Sequence, residues 1–276
     1  MFTETLEALN KMALTKKKLL EASIFKYVLA ACLAGAYVGL GIVLIFSVGA
    51  PLADISSPIT SLLMGVSFAV ALILVIFAGA ELFTGNNMVY TVSTLSGVTT
   101  WRDTIVNWFW CYLGNLIGAA ALVLLIFGSG IFSGIGGSHL LMTTAETKMS
   151  AGTLELFIRG ILCNWLVCLA IWTGLRTKND AAKLILIFWM LFAFIASGYE
   201  HSIANMTVLG LALVHPGPET ITIAGFFHNL IPVTLGNIVG GGLFVGGVYW
   251  LIQPQKREQE QAKKDVVVSQ INASAK

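Results

Sequence analysis

The chain has 276 residues, of which 57% are hydrophobic and only 11% are charged. Soluble domains carry about 25% charged residues, so this composition excludes a soluble globular enzyme, a disordered protein and a nucleic-acid binder. The formal net charge of +2 is too small to imply an anionic partner. At about 20 apolar residues per span, the length admits six or seven membrane spans.

A polar segment of 24 residues precedes the apolar part of the chain. Its residues 2–13 place Phe2, Leu6, Leu9 and Ala13 on one helical face. This spacing fits an amphipathic helix on the membrane surface, and it fits a frayed polar tail equally well. A second polar segment, beginning at Gln253, closes the chain and is expected to be disordered.

Six apolar segments follow the N-terminal segment and are predicted to cross the membrane as helices. The fifth is expected to run on through an interruption. The spans are predicted at 25–48, 59–78, 104–127, 154–175, 183–196 continuing to about 214, and 226–252.

Basic residues predict the orientation of these spans, because cytoplasmic loops are enriched in Lys and Arg. The N-terminal segment, the loops after spans two and four, and the C-terminal tail together hold fourteen of the 16 Lys and Arg residues. The opposite loops hold only Lys148, and Arg159 lies inside a span. The bias predicts an even number of spans and cytoplasmic termini. It divides the chain into a cytoplasmic segment (1–24), a membrane domain (25–252) and a cytoplasmic tail (253–276).

Spans two and five are both interrupted by small residues and a glutamate, at 78–86 and 196–202. Spans three and six share a Leu-Gly-Asn run, starting at Leu113 and at Leu235. The offsets, 119 between the glutamates and 122 between the runs, are nearly equal. They favour two inverted halves of three spans, an arrangement typical of transporters and channels, over chance similarity between glycine-rich helices.

Ionisable residues within a membrane are costly, so each is a candidate site residue. Glu155 and Arg159 are spaced i, i+4 and are interpreted as a structural ion pair. Glu81 and Glu200 lie in the two breaks, where a carboxylate can accept hydrogen bonds from unpaired amides; a proton relay is the alternative. His201 lies in the second break and is interpreted as functional, because imidazole exchanges protons near neutral pH.

Two further side chains complete this interpretation. Thr84 lies in the first break and supplies a hydroxyl that can donate to the same ion as His201. His228 is expected to lie at the membrane interface. No metal or other cofactor is predicted, because the four cysteines lie inside apolar stretches and form no Cys-x-x-Cys pair.

Five stretches, spread over about 25–250, carry a family resemblance: Ala34–Gly41, Glu81–Gly85, Cys163–Trp172, Ala196–Met206 and Val233–Asn237. Through them the chain resembles the formate–nitrite transporter family. Trp165 favours the bacterial nitrite-channel branch, whereas Leu230–Thr234 looks more like the formate branch.

The resemblance implies an all-α, aquaporin-like fold of six spans, a homopentamer with one pore per protomer, and passage of small monovalent weak-acid anions. Position by position, it implies a pore centre at His201 and Thr84, and a vestibule lysine at Lys148. The implied apolar constrictions comprise Phe68, Leu72, Leu82, Phe83, Val167 and Phe194. The implied polar support comprises Glu81, Asn164, Glu200, Asn205 and Asn237.

We therefore predict a channel in the bacterial inner membrane, with nitrite as first choice of anion, formate second and hydrosulfide third. Water conduction is disfavoured, because the chain contains no Asn-Pro dipeptide. Proton transfer from His201, and closure of the pore by the N-terminal helix, are left open. A membrane-embedded enzyme and a poreless receptor are the alternative classes, and the absence of ion flux would indicate the latter.

Overall fold

The computed structural model describes residues 2–253, and this part of the chain is helical without strands. Apart from Gln253, the tail expected to be disordered lies outside the described residues. The principal helices, in chain order, are α1 (Thr3–Ala22), α2 (Ile24–Asp54), α3 (Thr60–Ile73), α4 (Phe83–Leu95), α5 (Trp101–Ser129), α6 (Leu140–Ser150), α7 (Thr153–Gly174), α8 (Asp180–Ala196), α9 (Ser202–Val214) and α10 (Ile223–Ile238).

Two of these helices continue in π-helical geometry. α3 extends over Leu74–Gly79, and α10 extends over Val239–Gly247 and a last turn, Val248–Leu251. With these extensions, α2, α3, α5, α7 and α10 are each long and apolar enough to cross a membrane. The region predicted as the fifth span consists of two shorter helices, α8 and α9.

Side-chain caps explain where several helices begin. The Thr100 hydroxyl accepts a hydrogen bond from the Asp103 amide, and the Asp103 carboxylate accepts one from the Thr100 amide. Asn179 and Thr222 cap α8 and α10 with their side-chain oxygens. Such side chains satisfy amides that have no partner within the helix. These three helices therefore begin three residues earlier than the apolar segments at 104, 183 and 226.

Glycine contacts bring the long helices close together in two pairs. A methyl group on Gly118 of α5 would collide with the Cys32 carbonyl oxygen of α2. On the other side of the molecule, a methyl group on Gly240 would collide with the Ile161 carbonyl oxygen of α7. Small residues at such contacts allow helix backbones to approach closely. These glycines therefore pack helices within one chain. Their spacing in the sequence alone does not distinguish this role from one at an interface between chains.

α1 packs against the rest of the protein through the face predicted from its spacing. Leu6, Leu9 and Ala13 are buried in a cluster that includes Met88 and Trp172. Neither a frayed tail nor a helix lying free on the membrane surface describes this segment. The apolar face is occupied by protein because α4 and α7 present a complementary apolar surface.

Candidate functional site

The two breaks in the apolar helices meet near the centre of the molecule. The first separates the π-helical end of α3 from α4, and the second separates α8 from α9. The residues that precede α4 and α9, Leu82 and His201, line the same small cavity. Helix N-termini carry partial positive charge, so both half-helices direct a favourable potential for an anion at this point.

His201 and Thr84 form the polar centre of the cavity region. The imidazole Nε2 lies 3.0 Å from the Thr84 Oγ1, and both side chains are buried. The imidazole Nδ1 accepts a hydrogen bond from the Ala204 amide at 3.1 Å. Since Nδ1 is an acceptor, the neutral ring carries its proton on Nε2 and donates it to Thr84. The Thr84 hydroxyl proton is then available for a further acceptor, such as an anion.

Apart from His201, the side chains that line this cavity are apolar. The space has a volume of about 10 Å³, which is about the minimum needed to hold one water molecule. Five of the six residues predicted to form constrictions line it, together with Val38, Ala71 and Leu191. These five are Phe68, Leu72, Leu82, Val167 and Phe194.

Phe83 is the predicted constriction residue that does not line the cavity. Its ring packs edge-on against Tyr112 and Trp108 of α5, at centroid distances of 5.0 and 6.3 Å. Phe83 is the first residue of α4, and the helical turn directs its side chain away from that of Leu82. It therefore anchors α4 to α5 instead of narrowing the cavity.

A larger vestibule adjoins the His201 side of the cavity. This space, the Lys148 vestibule, has a volume of about 340 Å³ and is lined by Lys148, Glu200 and His201 and by threonines of α6. Lys148 Nζ lies 2.7 Å from Glu200 Oε1. The Lys148 side chain is 17% exposed and the Glu200 side chain 3%, so the cation is the more accessible member of the pair.

The opposite vestibule contains a similar ion pair. This Lys16 vestibule has a volume of about 430 Å³. Lys16 of α1 lies 2.7 Å from Glu81 Oε2, and the two side chains are equally exposed, at 13%. Glu81 also accepts hydrogen bonds from Tyr27 and Asn86. The sequence interpretation counted Lys16 only as a topological charge, because nothing local to α1 indicates a partner 65 residues away.

Two asparagines satisfy the backbone at the breaks in equivalent ways. Asn115 accepts a hydrogen bond from the Phe83 amide and donates to the Glu81 carbonyl, at 3.0 and 2.8 Å. Asn237 accepts from the Ser202 amide and donates to the Glu200 carbonyl, at 2.9 and 3.0 Å. Unpaired backbone groups are costly in a membrane, so these amides make the breaks tolerable.

The remaining polar support residues lie behind the cavity. Asn164 donates to the carbonyl oxygens of Thr84 and Asn237, which ties α7 to α4 and α10. Asn205 donates to the Glu200 carboxylate.

Two further expectations concern α7 and α10. Glu155 and Arg159 form the predicted i, i+4 ion pair. His228 is exposed, and its Nε2 lies 2.9 Å from the Ala151 carbonyl oxygen that follows α6.

Apolar helices long enough to span a membrane, two large cavities and a small apolar cavity that shares residues with both are typical of a membrane transporter or channel. The chain belongs to the formate/nitrite transporter family, whose sequence model matches residues 3–251. This is a family of transporters and channels, not of enzymes.

Several proteins show the extent of the similarity. The chain is 43% identical over 265 residues to the nitrite transporter NirC of Escherichia coli, covering 92% of this chain and 94% of NirC. It is 38% identical over 256 residues to the uncharacterized transporter YwcJ of Bacillus subtilis, covering 93% and 100%.

Two solved structures extend the similarity to the fold. An FNT family ion channel superposes with a TM-score of 0.87 at 41% identity, covering 92% of this chain and 100% of that one. A pentameric formate channel with formate bound superposes with a TM-score of 0.72 at 34% identity, covering 84% and 98%.

Proposed function

We propose that this protein is a nitrite channel in which the anion passes between the two vestibules at the Thr84–His201 pair. The observation that carries the proposal is the hydrogen bond between these side chains within an otherwise apolar constriction. Formate and hydrosulfide are the alternative substrates. All three are small monovalent anions of weak acids.

Lys148 attracts the anion at the first step. The Glu200 carboxylate lies behind the ammonium group and accepts a hydrogen bond from Asn205, so its charge is compensated away from the vestibule. The positive end of the pair therefore faces the space that the anion enters. Such a charge in a low-dielectric cleft raises the local anion concentration.

The apolar constriction then selects against a bare charge. Leu72, Leu82, Val167 and Phe194 offer no hydrogen bonds to replace the hydration that an anion would lose. The Thr84 hydroxyl replaces part of that hydration, and His201 Nε2 orients the hydroxyl by donating to its oxygen.

Proton transfer from His201 is the second part of the proposal, and the geometry sets its cost. A second proton on the ring must bind Nδ1, which now accepts from the Ala204 amide. Protonation would therefore break the cap of α9. An anion in the cavity compensates this cost by attracting the imidazolium, so the proton and the anion would arrive together.

Nitrite is favoured over formate by the greater identity to NirC than to the pentameric formate channel. Trp165, which favours the nitrite branch in sequence, stacks on Phe244 at a centroid distance of 4.8 Å and is partly exposed. It does not line the cavity. Trp165 therefore marks the branch without itself selecting the anion.

We further propose six spans in two inverted halves, with α8 and α9 together forming the fifth. The equivalent hydrogen bonds of Asn115 and Asn237 support the repeat. The Phe2 amide donates to Gln253 Oε1 at 3.0 Å, which supports placing both ends of the described chain on one side. The excess of Lys and Arg supports placing that side in the cytoplasm. The proposed location is the inner membrane of a bacterium.

A homopentamer is the proposed assembly, because the similar formate channel is pentameric. Each protomer contains its own cavity, so the pore does not require a second chain. The lipid bilayer is the remaining partner, and it would cover the exposed apolar side chains of the long helices.

Uptake by proteoliposomes tests the function. Nitrite, formate and hydrosulfide uptake would be compared across pH for the natural protein and for His201→Asn. Asparagine retains a side-chain acceptor for the cap of α9 but does not titrate. We expect nitrite to move fastest and the His201→Asn variant to lose the pH dependence.

Each outcome addresses a separate part of the proposal. If formate or hydrosulfide moves fastest, the channel stands and nitrite is wrong. If His201→Asn has the same flux as the natural protein at every pH, proton transfer from His201 is wrong. If none of the anions moves, the channel itself is wrong.

A further inference from the structure

Asn229 of α10 lies next to the ion pair of the Lys148 vestibule, and neither the family resemblance nor the sequence pattern assigned it a role. Its side chain is fully buried. Its Nδ2 donates to the backbone carbonyl of Lys148 at 3.0 Å, and its Oδ1 accepts from Asn205 Nδ2 at 2.7 Å. The side-chain amide of Asn229 therefore contacts both the helix that carries Lys148 and Asn205, which donates to the Glu200 carboxylate.

The hydrogen bond from Asn229 to the Lys148 carbonyl satisfies a backbone group at the end of α6. Lys148 lies in the last turn of α6, where carbonyl groups have no partner within the helix. Asn229 supplies a donor to one of these carbonyls, and His228 contacts that of Ala151. α6 is thereby attached to α10 at the end that carries Lys148.

The side-chain contacts fix the other member of the pair. Asn205 Nδ2 donates both to Glu200 and to Asn229, and Asn229 Nδ2 lies 3.5 Å from Glu200 Oε2. Because Asn229 joins the backbone at Lys148 to this carboxylate site, it limits how far the ammonium group can move from Glu200. A fully satisfied buried polar network of this kind holds a unique geometry.

Asn107 provides a natural comparison beside the other vestibule, where it contacts Asn86. It precedes Asn229 by 122 residues, the offset of the Leu-Gly-Asn runs, and is also fully buried. Its Oδ1 accepts from Asn86 at 3.1 Å, as Asn229 accepts from Asn205. Its Nδ2 donates to the hydroxyls of Tyr27 and Tyr90. Asn107 thus shares the amide contact but does not bind the backbone of the lysine helix.

We infer that Asn229 is the positioning residue for anion capture by Lys148: it holds the end of α6 so that the ammonium group faces the vestibule in front of Glu200. The inference rests on the proposed function of Lys148. It predicts that substitution of Asn229 affects nitrite uptake only through Lys148.

A double-mutant cycle in proteoliposomes tests this inference, with nitrite as the probe at concentrations well below saturation. The variants are Asn229→Leu, Lys148→Met and their combination. We expect Asn229→Leu to lower nitrite uptake by about three- to tenfold, and to have no further effect once Lys148 is methionine. Uptake by Asn229→Leu should also lose the salt sensitivity that a vestibule charge confers.

Asn107→Leu is the matched control, because it makes the same substitution at the equivalent buried position. Its effect should add to that of Lys148→Met, since Asn107 contacts Asn86, Tyr27 and Tyr90 and none of these lines the Lys148 vestibule. If Asn229→Leu does not assemble, Asn229→Ala, which removes the same hydrogen bonds, replaces it in the cycle.

The outcomes separate this inference from the function on which it rests. If Asn229→Leu lowers uptake equally with and without Lys148, Asn229 acts on packing and the inference is wrong. If Lys148→Met itself leaves uptake unchanged, the proposed role of Lys148 fails and the inference fails with it. Uptake by the combined variant that equals that of Lys148→Met alone supports both.

Discussion

At the residue scale, the Thr84 hydroxyl can make two hydrogen bonds. It accepts one from His201, and its own proton is available to an acceptor such as an anion. Thr84 Oγ1 is the acceptor because His201 carries its proton on Nε2. That tautomer follows from the hydrogen bond that the Ala204 amide donates to His201 Nδ1. A side chain of the same shape without the hydroxyl would leave the imidazole N–H without its partner. It would also leave the anion without its donor.

We therefore predict that Thr84→Val lowers nitrite flux by about ten- to a hundredfold, since a hydrogen bond to a charged group contributes about 1.5–3 kcal/mol. Flux into proteoliposomes is the measurement. Thr207→Val is the control, because Thr207 is equally buried and its hydroxyl has no hydrogen-bond partner among residues 2–253. Equal losses in the two variants would contradict the role of Thr84.

Single residues of the site differed in how far they could be predicted. Glu81, Glu200 and His201 were recognisable because an ionisable group in an apolar stretch stands out in any sequence. Lys16 and Asn229 were not, because their partners lie 65 and 81 residues away and their own neighbourhoods look ordinary. A polar residue at a polar end of a helix carries no local signal of its partner.

At the scale of elements, the first residues of the helices were also only partly predictable from the sequence. Hydropathy alone places the starts of α5, α8 and α10 where the apolar segments begin. The first turn of each is outside that segment, because a capping side chain and water satisfy its amides. Thr100 and Asp103 form a capping box that is readable in the sequence, so this discrepancy was avoidable.

α6 depends on His139 at its N-terminus, where the imidazole Nδ1 accepts from the Leu141 amide at 3.2 Å. Burial lowers the pKa of His139 below its usual value of 6.5; Asp54 acts in the opposite direction and His215 in the same direction. The cap therefore stabilises α6 above pH 6.5. Its contribution is lost as the pH falls from 6.5 through the lowered pKa, because protonation removes the acceptor.

We predict that amides in the first turn of α6 exchange hydrogen faster as the pH falls below about 6.5, after correction for intrinsic rates. Hydrogen-exchange mass spectrometry of the purified protein is the measurement. His139→Asn provides the control, because asparagine caps a helix without titrating. A natural protein and a variant with identical pH profiles would show that His139 does not control this turn.

The close contact between α2 and α5 gives a second prediction at this scale. Gly118→Ala places a methyl group against the Cys32 carbonyl, and forcing backbones apart costs about 1–3 kcal/mol or more. We expect a lower unfolding temperature and less assembled protein. Gly128→Ala in the same helix is the control, because a methyl group there meets nothing within 4 Å. A similar loss in both variants would contradict this role of Gly118, because alanine is a better helix former than glycine and Gly128→Ala introduces no collision.

At the scale of the whole molecule, α1 connects distant parts of the chain. Lys16 binds Glu81 in the vestibule, and the adjacent Lys17 binds Asp103 of α5 at 2.8 Å. The hydrogen bond to Asp103 raises the pKa of Lys17 above its usual 10.5. The sequence leaves closure of the pore by this segment open, and a movement of α1 would have to break these two ion pairs.

Assembly gives the prediction at this scale. We expect five copies of the chain in native mass spectra recorded from detergent, without added ligand. The assembly should survive Thr84→Val, because Thr84 is fully buried within one protomer. A single copy, or a different number of copies, would contradict the proposed pentamer. It would not contradict the proposal that each protomer contains its own pore.

The class of protein, the positions of the breaks and the candidate histidine could all be predicted from the amino-acid sequence. These are local properties: span length, an interruption by small residues and a lone ionisable group are visible without knowing the fold. Resemblance added the constriction residues, of which Phe83 proved to face α5. Only the tertiary structure decided which polar groups meet. Thr84 and His201 are 117 residues apart, and their 3.0 Å contact exists because Asn115 and Asn237 hold two broken helices end to end.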